Sequence, residues 1–270
     1  MSEIDCSCID YKRIPTGLKN LDRYLGGGLA SSSVTLIACR PGMGKTSLVL
    51  SIASNIPVLT GKSVVYFTMN TKNKEISQKL LSVQSGVKIG RIMNNKLNKD
   101  ELEKIIYAIN HANIDSIYLC DRVMNVKNIA PLCGSISNLG MVIIDGFRWV
   151  SDDKYTEEST QHQNMIMRDI MNIAMTLNVP VILTAIIPRI NEHRKNMRPK
   201  LSDFDLLTYK AFLKYTDVVL LLHREYYFFN TDNNDPCLAE CIIDKNRTGD
   251  CGTVYLHWDY ETLRFKDWGI

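Results

Sequence analysis

The chain alternates between short, almost wholly apolar runs and longer stretches with helical spacing. Val34-Thr35-Leu36-Ile37-Ala38, Ser63-Val64-Val65-Tyr66-Phe67, Met141-Val142-Ile143-Ile144-Asp145 and Val179-Pro180-Val181-Ile182-Leu183-Thr184 are rich in β-branched residues and lack polar alternation. Such runs are the signature of strands buried on both faces. Ser116 to Leu119 and Asp217 to Leu222 read as further strands. Between them the spacing predicts helices over Ser47 to Ala53, Asn73 to Val83, Lys99 to Asn110, Val126 to Ser135 and about Ser159 to Leu177. In the Lys99 segment Ile105, Ile106, Ala108 and Ile109 share a face, and Asp100 and Glu101 fall in the first turn, where acids favour the helix dipole. A short helix near Leu18 to Leu25 is closed by Gly26-Gly27-Gly28, and Ala239 to Ile243 with Gly252 to Trp258 predict a C-terminal hairpin. Strands alternating with helices predict an α/β fold: a mostly parallel central sheet, helices on both faces, and a C-terminal β-hairpin. Ligands of such sheets sit at the C-terminal strand ends.

Composition narrows this only slightly. Residues 1–14 read as an N-terminal arm and 15–270 as one large domain. Hydrophobic content of 45% with 23% charged residues is ordinary for a globular protein, so it excludes a disordered or fibrous chain. A net charge of +3 neither demands nor excludes nucleic acid, so a basic site must be sought locally. There is no N-terminal signal pattern and no apolar run of roughly 18 residues, which leads us to expect a cytoplasmic protein without a membrane partner. The eight cysteines are scattered, several inside apolar runs; Cys6-Ser7-Cys8 and Cys237 with Cys241 lack zinc-ligand spacing, and reduced structural thiols are expected.

The candidate chemistry centres on Cys39-Arg40-Pro41-Gly42-Met43-Gly44-Lys45-Thr46-Ser47, between a strand and a helix. Strand, glycine-rich turn, Gly-Lys-Thr and helix is the order of a phosphate-binding P-loop. Backbone N–H groups of the turn and helix start face the anion, Lys45 reaches the β- and γ-phosphates, and the Thr46 hydroxyl ligates Mg²⁺. Arg40, Pro41, Gly42, Met43, Gly44, Lys45, Thr46 and Ser47 are therefore the candidate nucleotide-binding residues, for ATP with Mg²⁺. The generic pattern Gly-x-x-x-x-Gly-Lys-Ser/Thr asks for glycine at position 39, where this chain has Cys39. Asp145, closing four apolar residues, fits the Walker-B carboxylate that positions the Mg²⁺ shell, although strands also end in Asp as a plain helix cap.

Two basic stretches are open to two readings each. The segment 188–200 carries Arg189, Arg194, Lys195, Arg198 and Lys200 against a single glutamate; it is either a solvated loop or a binder of a nucleic-acid backbone. Lys245 and Arg247, in the bend of the C-terminal hairpin, are either solvated turn residues or a pair that reaches a neighbouring subunit's γ-phosphate.

Thr16-Gly17, Arg40-Pro41-x-Met43-Gly44-Lys45-Thr46, Ile143-Ile144-Asp145, Leu177-Asn178-Val179-Pro180-Val181 and Lys245-Asn246-Arg247-x-Gly249-x-x-Gly252-Thr253-Val254 together resemble the C-terminal, RecA-like ATPase domain of DnaB-type replicative helicases over nearly the whole chain. The resemblance implies ATP and Mg²⁺, a homohexameric ring, single-stranded DNA in its pore, and Lys245 and Arg247 acting on the adjacent subunit's ATP. The chain departs from that pattern in places. The family's water-activating glutamate is replaced by Asn70, its γ-phosphate-sensing glutamine by Ile186, and its Ser-Asp-Leu-Arg-Glu-Ser-Gly segment survives only as Ser202-Asp203-Phe204. The family's N-terminal collar and linker helix also have no counterpart in the 14 residues ahead of the domain. The expectation is a DnaB-like ATP-dependent helicase or translocase with weakened hydrolysis; the alternative is a nucleotide-binding regulator or assembly factor with the same fold.

Overall fold

A computed structural model describes residues 12–122, 125–147, 160–188, 197–229 and 235–269. The chain opens with β1 (Arg13–Ile14), α1 (Lys19–Tyr24) and β2 (Leu29–Ala30); β1 and β2 pair antiparallel, and Ile14 is buried. Arg13 and Ile14, read above as the end of an arm, thus belong to the folded body. The central elements follow as β3 (Val34–Cys39), α2 (Lys45–Thr60), β4 (Ser63–Thr68), α3 (Asn73–Ser85), α4 (Ile89–Met93), α5 (Lys99–His111), β5 (Ile117–Cys120), α6 (Ile129–Gly134), β6 (Leu139–Asp145), α7 (Thr160–Leu177) and β7 (Val181–Ile186). The chain closes with α8 (Leu206–Tyr215), β8 (Val218–His223), β9 (Leu238–Asn246), β10 (Gly252–Asp259) and β11 (Arg264–Asp267).

Nine strands form one sheet in the order β11-β10-β9-β8-β3-β7-β6-β4-β5. From β8 to β5 every neighbour is parallel, and β9, β10 and β11 extend the sheet antiparallel, as the α/β reading expected. The parallel part needs crossovers, which the helices supply. Strand pleating divides the apolar runs between two cores. Ile37, Tyr66, Ile143 and Ile182 face a core shared with α2 and α3, while Leu36, Val65, Val142 and Leu183 face one shared with α6, α7 and α8. Each fully buried Val, Leu or Ile side chain stabilises this arrangement by about 1.5–3 kcal/mol.

α8 and β11 carry no strong signal in the sequence. α8 starts after Asp205, whose carboxylate accepts the Thr208 N–H at 3.0 Å, the bond of an N-cap. β11 is anchored by its last residue: the Asp267 carboxylate accepts the N–H groups of Lys19 and Asn20 at 2.8 and 3.0 Å, tying the end of the chain to the start of α1. Among the described residues no helix is long and apolar enough to cross a membrane.

Candidate nucleotide-binding site

Four neighbouring strands, β3, β7, β6 and β4, bring the polar residues into one rank at their C-terminal ends. Ile37 lies beside Thr184, Thr184 beside Asp145, and Asp145 beside Thr68. β3 stops at Cys39, and the chain turns through Arg40 to Gly44 before α2 begins at Lys45. Gly42 and Gly44 hold φ of +82° and +96°, a region that favours glycine. Cys39 has no positive φ; its buried side chain ends the strand, so the glycine of the generic motif answers no backbone demand here. Burial pushes the Cys39 thiol up to about 12 against the lowering effect of Lys45, and it stays protonated and inert.

α2 has no side-chain cap, and its first backbone bond runs from the Leu48 N–H to the Gly44 carbonyl. The N–H groups ahead of it therefore lack intrahelical acceptors and present the positive end of a 16-residue helix. Lys45 Nζ donates to Thr184 Oγ1 at 2.8 Å and to Asp145 Oδ1 at 3.2 Å. Thr46 donates its hydroxyl hydrogen to Asp145 Oδ2 at 3.0 Å, and the Tyr66 hydroxyl donates to the same oxygen at 2.7 Å. The Thr184 hydroxyl donates to Oδ1 at 2.5 Å. Burial would raise the Asp145 carboxyl, but the Lys45 charge and the hydrogen bonds of Thr184, Tyr66 and Thr46 together hold it below the usual carboxylate range. A threonine hydroxyl and a carboxylate are hard oxygen donors; beside an ammonium group at a helix N-terminus they match what a magnesium–triphosphate pair requires.

The rest of the loop is braced from the C-terminal half. A Cβ on Gly42 would fall 2.6 Å from the hydroxyl of the half-exposed Tyr227, so a larger residue there would displace that ring as well as strain the positive φ. Arg40 is buried, with its guanidinium 5.5 Å from the centre of the Phe228 ring and Nη1 directed at Met197 Sδ at 3.7 Å. Met43 and Ser47 are buried, whereas Pro41 is exposed. His223, at the end of β8, stacks on Phe228 with ring centroids 5.8 Å apart. Burial, reinforced by the charges of Arg198 and Arg40, pushes His223 down to about 4, while Glu240 beside it pairs with Arg198.

His223 is therefore neutral when folded and takes up a proton on unfolding below about pH 6.5. Stability from this group is complete above that pH and is lost as the pH falls towards 4. Melting curves should show the wild type losing up to roughly 1.4 kcal/mol per pH unit across this window, and His223→Gln losing less.

Asn70 is exposed just beyond β4, two residues past Thr68, with its Oδ1 accepting the Thr71 hydroxyl at 3.3 Å. Ile186 is 53% exposed at the end of β7, beside Cys39. Both replacements therefore flank the Asp145 cluster.

Lys245 and Arg247 lie at the other end of the molecule. β9 runs antiparallel to β8 and pairs Asn246 with Val218, which puts them at the N-terminal edge of the parallel strands. Lys245 Nζ donates to the Leu213 carbonyl at 2.6 Å and to the Thr216 carbonyl. Arg247 pairs with Asp217 at 3.1 Å and donates to the Lys214 carbonyl at 2.9 Å.

Of the basic segment 188–200, Arg189, Arg194 and Lys195 fall outside the described residues. Arg198 pairs with Glu240 at 2.8 Å and donates to Thr253 Oγ1 at 3.1 Å, while Lys200 is exposed.

Sequence reasoning missed Tyr66, Thr184 and Tyr227. The first two sit inside apolar runs, and the available signal is parity: with Asp145 they project on the α2 side of the sheet, near its C-terminal end.

The chain matches the family described as DnaB-like helicase C terminal domain over residues 13–267. Replicative DNA helicase DnaB of Geobacillus stearothermophilus is 29% identical over 257 residues, which cover 93% of this chain and 56% of that protein. A probable replicative DNA helicase of Trieres chinensis is 30% identical over 265 residues, covering 94% and 57%. The chain thus spans a little over half the length of these curated relatives. A solved structure described as an ATPase domain superposes with a TM-score of 0.86 at 26% identity, covering 95% of this chain and 92% of that one. A DnaB-like replicative helicase, solved in a study of its interactions with primase, also reaches 0.86 at 26% identity, covering 98% of this chain and 64% of that one. By the breadth of these matches and the P-loop geometry behind them, the chain belongs to the DnaB-like helicase C terminal domain family.

Proposed function

We propose that the domain from Arg13 onward binds ATP with Mg²⁺ and acts as the motor domain of a cytoplasmic, ring-forming DNA helicase or translocase that moves on single-stranded DNA in replication. The observation that carries this is the meeting of Lys45, Thr46 and Asp145 at the N-terminus of α2, in a chain of the DnaB-like family. Backbone groups of Arg40 to Ser47 hold the phosphates, Lys45 supplies their counter-charge, and Thr46 and Asp145 hold the metal's oxygen shell. Mg²⁺ held by Thr46 and Asp145 would supply positive charge beside the phosphate oxygens. Asn70 orients the attacking water without accepting its proton, and Ile186 offers the γ-phosphate no hydrogen bond, so hydrolysis is slow relative to a site with the full set.

A ring, hexameric in this reading, is required for Lys245 and Arg247 to act. β8 has six residues, so they lie roughly 20 Å from their own P-loop and reach only a neighbour's. Arg189, Arg194, Lys195 and Lys200 provide the backbone-binding charge for single-stranded DNA, and Arg198 anchors the segment to the hairpin through Glu240. The similarity to replicative helicases favours this reading over a regulator that binds nucleotide without cutting it.

Steady-state ATP hydrolysis with and without single-stranded DNA tests the proposal. Lys45→Ala should abolish the activity by removing the phosphate counter-charge, and DNA should raise the wild-type rate. A rate indifferent to both DNA and Lys45→Ala would sink the motor reading. Wild-type turnover of about 1 s⁻¹ or more would exclude the regulator.

A further inference from the structure

We propose that Tyr66 and Thr184 are positioning residues that clamp the Asp145 carboxylate from its two flanking strands and thereby set the Mg²⁺ concentration that nucleotide binding requires. The inference rests on the nucleotide-binding reading above and extends it to two side chains outside the motif. A carboxylate offers about four lone-pair sites. In Asp145 all are taken, Oδ1 by Lys45 and Thr184 and Oδ2 by Thr46 and Tyr66.

These four donors differ in what else they are needed for. Lys45 is the group that must reach phosphate, and Thr46 must turn an oxygen lone pair to metal. Tyr66 and Thr184 carry no such second duty. Tyr66 lies fully buried on β4 and Thr184 fully buried on β7, the neighbours of β6 on its two sides. One hydroxyl from each side therefore holds one oxygen each, and the carboxylate plane stays fixed after Lys45 leaves for the nucleotide. The Thr184 hydroxyl has a single hydrogen, which goes to Asp145, while its lone pair receives Lys45 at 2.8 Å.

Partners that orient a metal ligand typically contribute 10–100-fold to metal affinity. The test is a titration of the full chain with a fluorescent ATP analogue at stepped Mg²⁺ concentrations and in excess EDTA. Tyr66→Phe, which removes one oxygen and keeps the ring, and Thr184→Val, which keeps the shape and removes the hydroxyl, are expected to raise the Mg²⁺ concentration for half-maximal binding by about 10–100-fold. Their affinity for the analogue in EDTA should match the wild type, and Thr184→Ser should restore the wild-type requirement. A wild-type Mg²⁺ requirement in both variants would overturn the proposal, as would an equal loss of affinity with and without metal, which marks a merely structural role. Should the wild type itself bind no nucleotide, or bind it unchanged in Lys45→Ala, the nucleotide-binding reading falls and this inference with it. Metal-dependent wild-type binding beside unaltered variants removes this inference alone.

Discussion

Arg247→Ala is expected to lower ATP turnover of the assembled protein by about 10³-fold or more, the range in which an arginine finger acts, while leaving nucleotide affinity nearly unchanged. Of the two hairpin cations Arg247 is the better placed to reach outwards. Its side chain is 47% exposed, with the half-buried Asp217 as its ion-pair partner, whereas Lys245 closes the end of α8 by donating to two carbonyls there. Burial and the nearby Arg247 charge also push the Lys245 ammonium below its ordinary value, against the opposing pull of Asp217. Mixing Arg247→Ala chains with Lys45→Ala chains decides the matter. Each is inactive alone, but a ring that sets an intact P-loop against a neighbour's Arg247 should regain turnover. If mixing restores nothing, or if Arg247→Ala alone is fully active, the cation does not work across a subunit boundary.

Asn70→Glu is expected to raise the single-turnover rate of ATP cleavage by at least about tenfold, short of the 10²–10⁴ that a positioned general base typically contributes. The residue stands exposed at the exit of β4, whose last residues lie beside Asp145, so a carboxylate there needs no buried charge and no rearrangement of the sheet. An amide can orient water, as the glutamine of small GTPases does, yet it cannot accept the proton. The full gain should not appear, because Ile186 remains without a hydrogen-bond donor on the other flank. Rapid-quench measurements at saturating ATP would show it. A rate that stays level or falls would mean that another group already takes the proton.

Much of this fold is readable in the chain itself because the parallel strands are buried on both faces, and residues such as Val142, Ile143 and Ile144 leave no polar alternation to confuse them. The P-loop and Asp145 are equally plain, since phosphate binding imposes a local spacing on consecutive residues. What stays hidden is whatever depends on strands being neighbours. Tyr66 and Thr184 look like ordinary strand formers until β4 and β7 are set on either side of β6. Arg198 looks like one more solvated cation until Glu240 and Thr253 come alongside. The two-residue strands β1 and β2 are too short to show a period, and α8 is announced only by the Asp205 cap. Arg189, Arg194 and Lys195 are legible as charge alone.

One carboxylate near the foot of the sheet has a longer reach than its size suggests. Asp217 receives the Arg247 guanidinium on one oxygen and the Val34 N–H, at 2.9 Å, on the other. Val34 begins β3, and β3 ends at the loop proposed to cradle phosphate. In a ring, the strand is a stiff rod with its own nucleotide at the top and, at its base, the hand extended to the next subunit. Drawing that hand away removes a bond from the rod's footing. The sites of such a ring would then be linked in series, each reporting to the next through six buried residues rather than through the basic segment proposed to meet DNA.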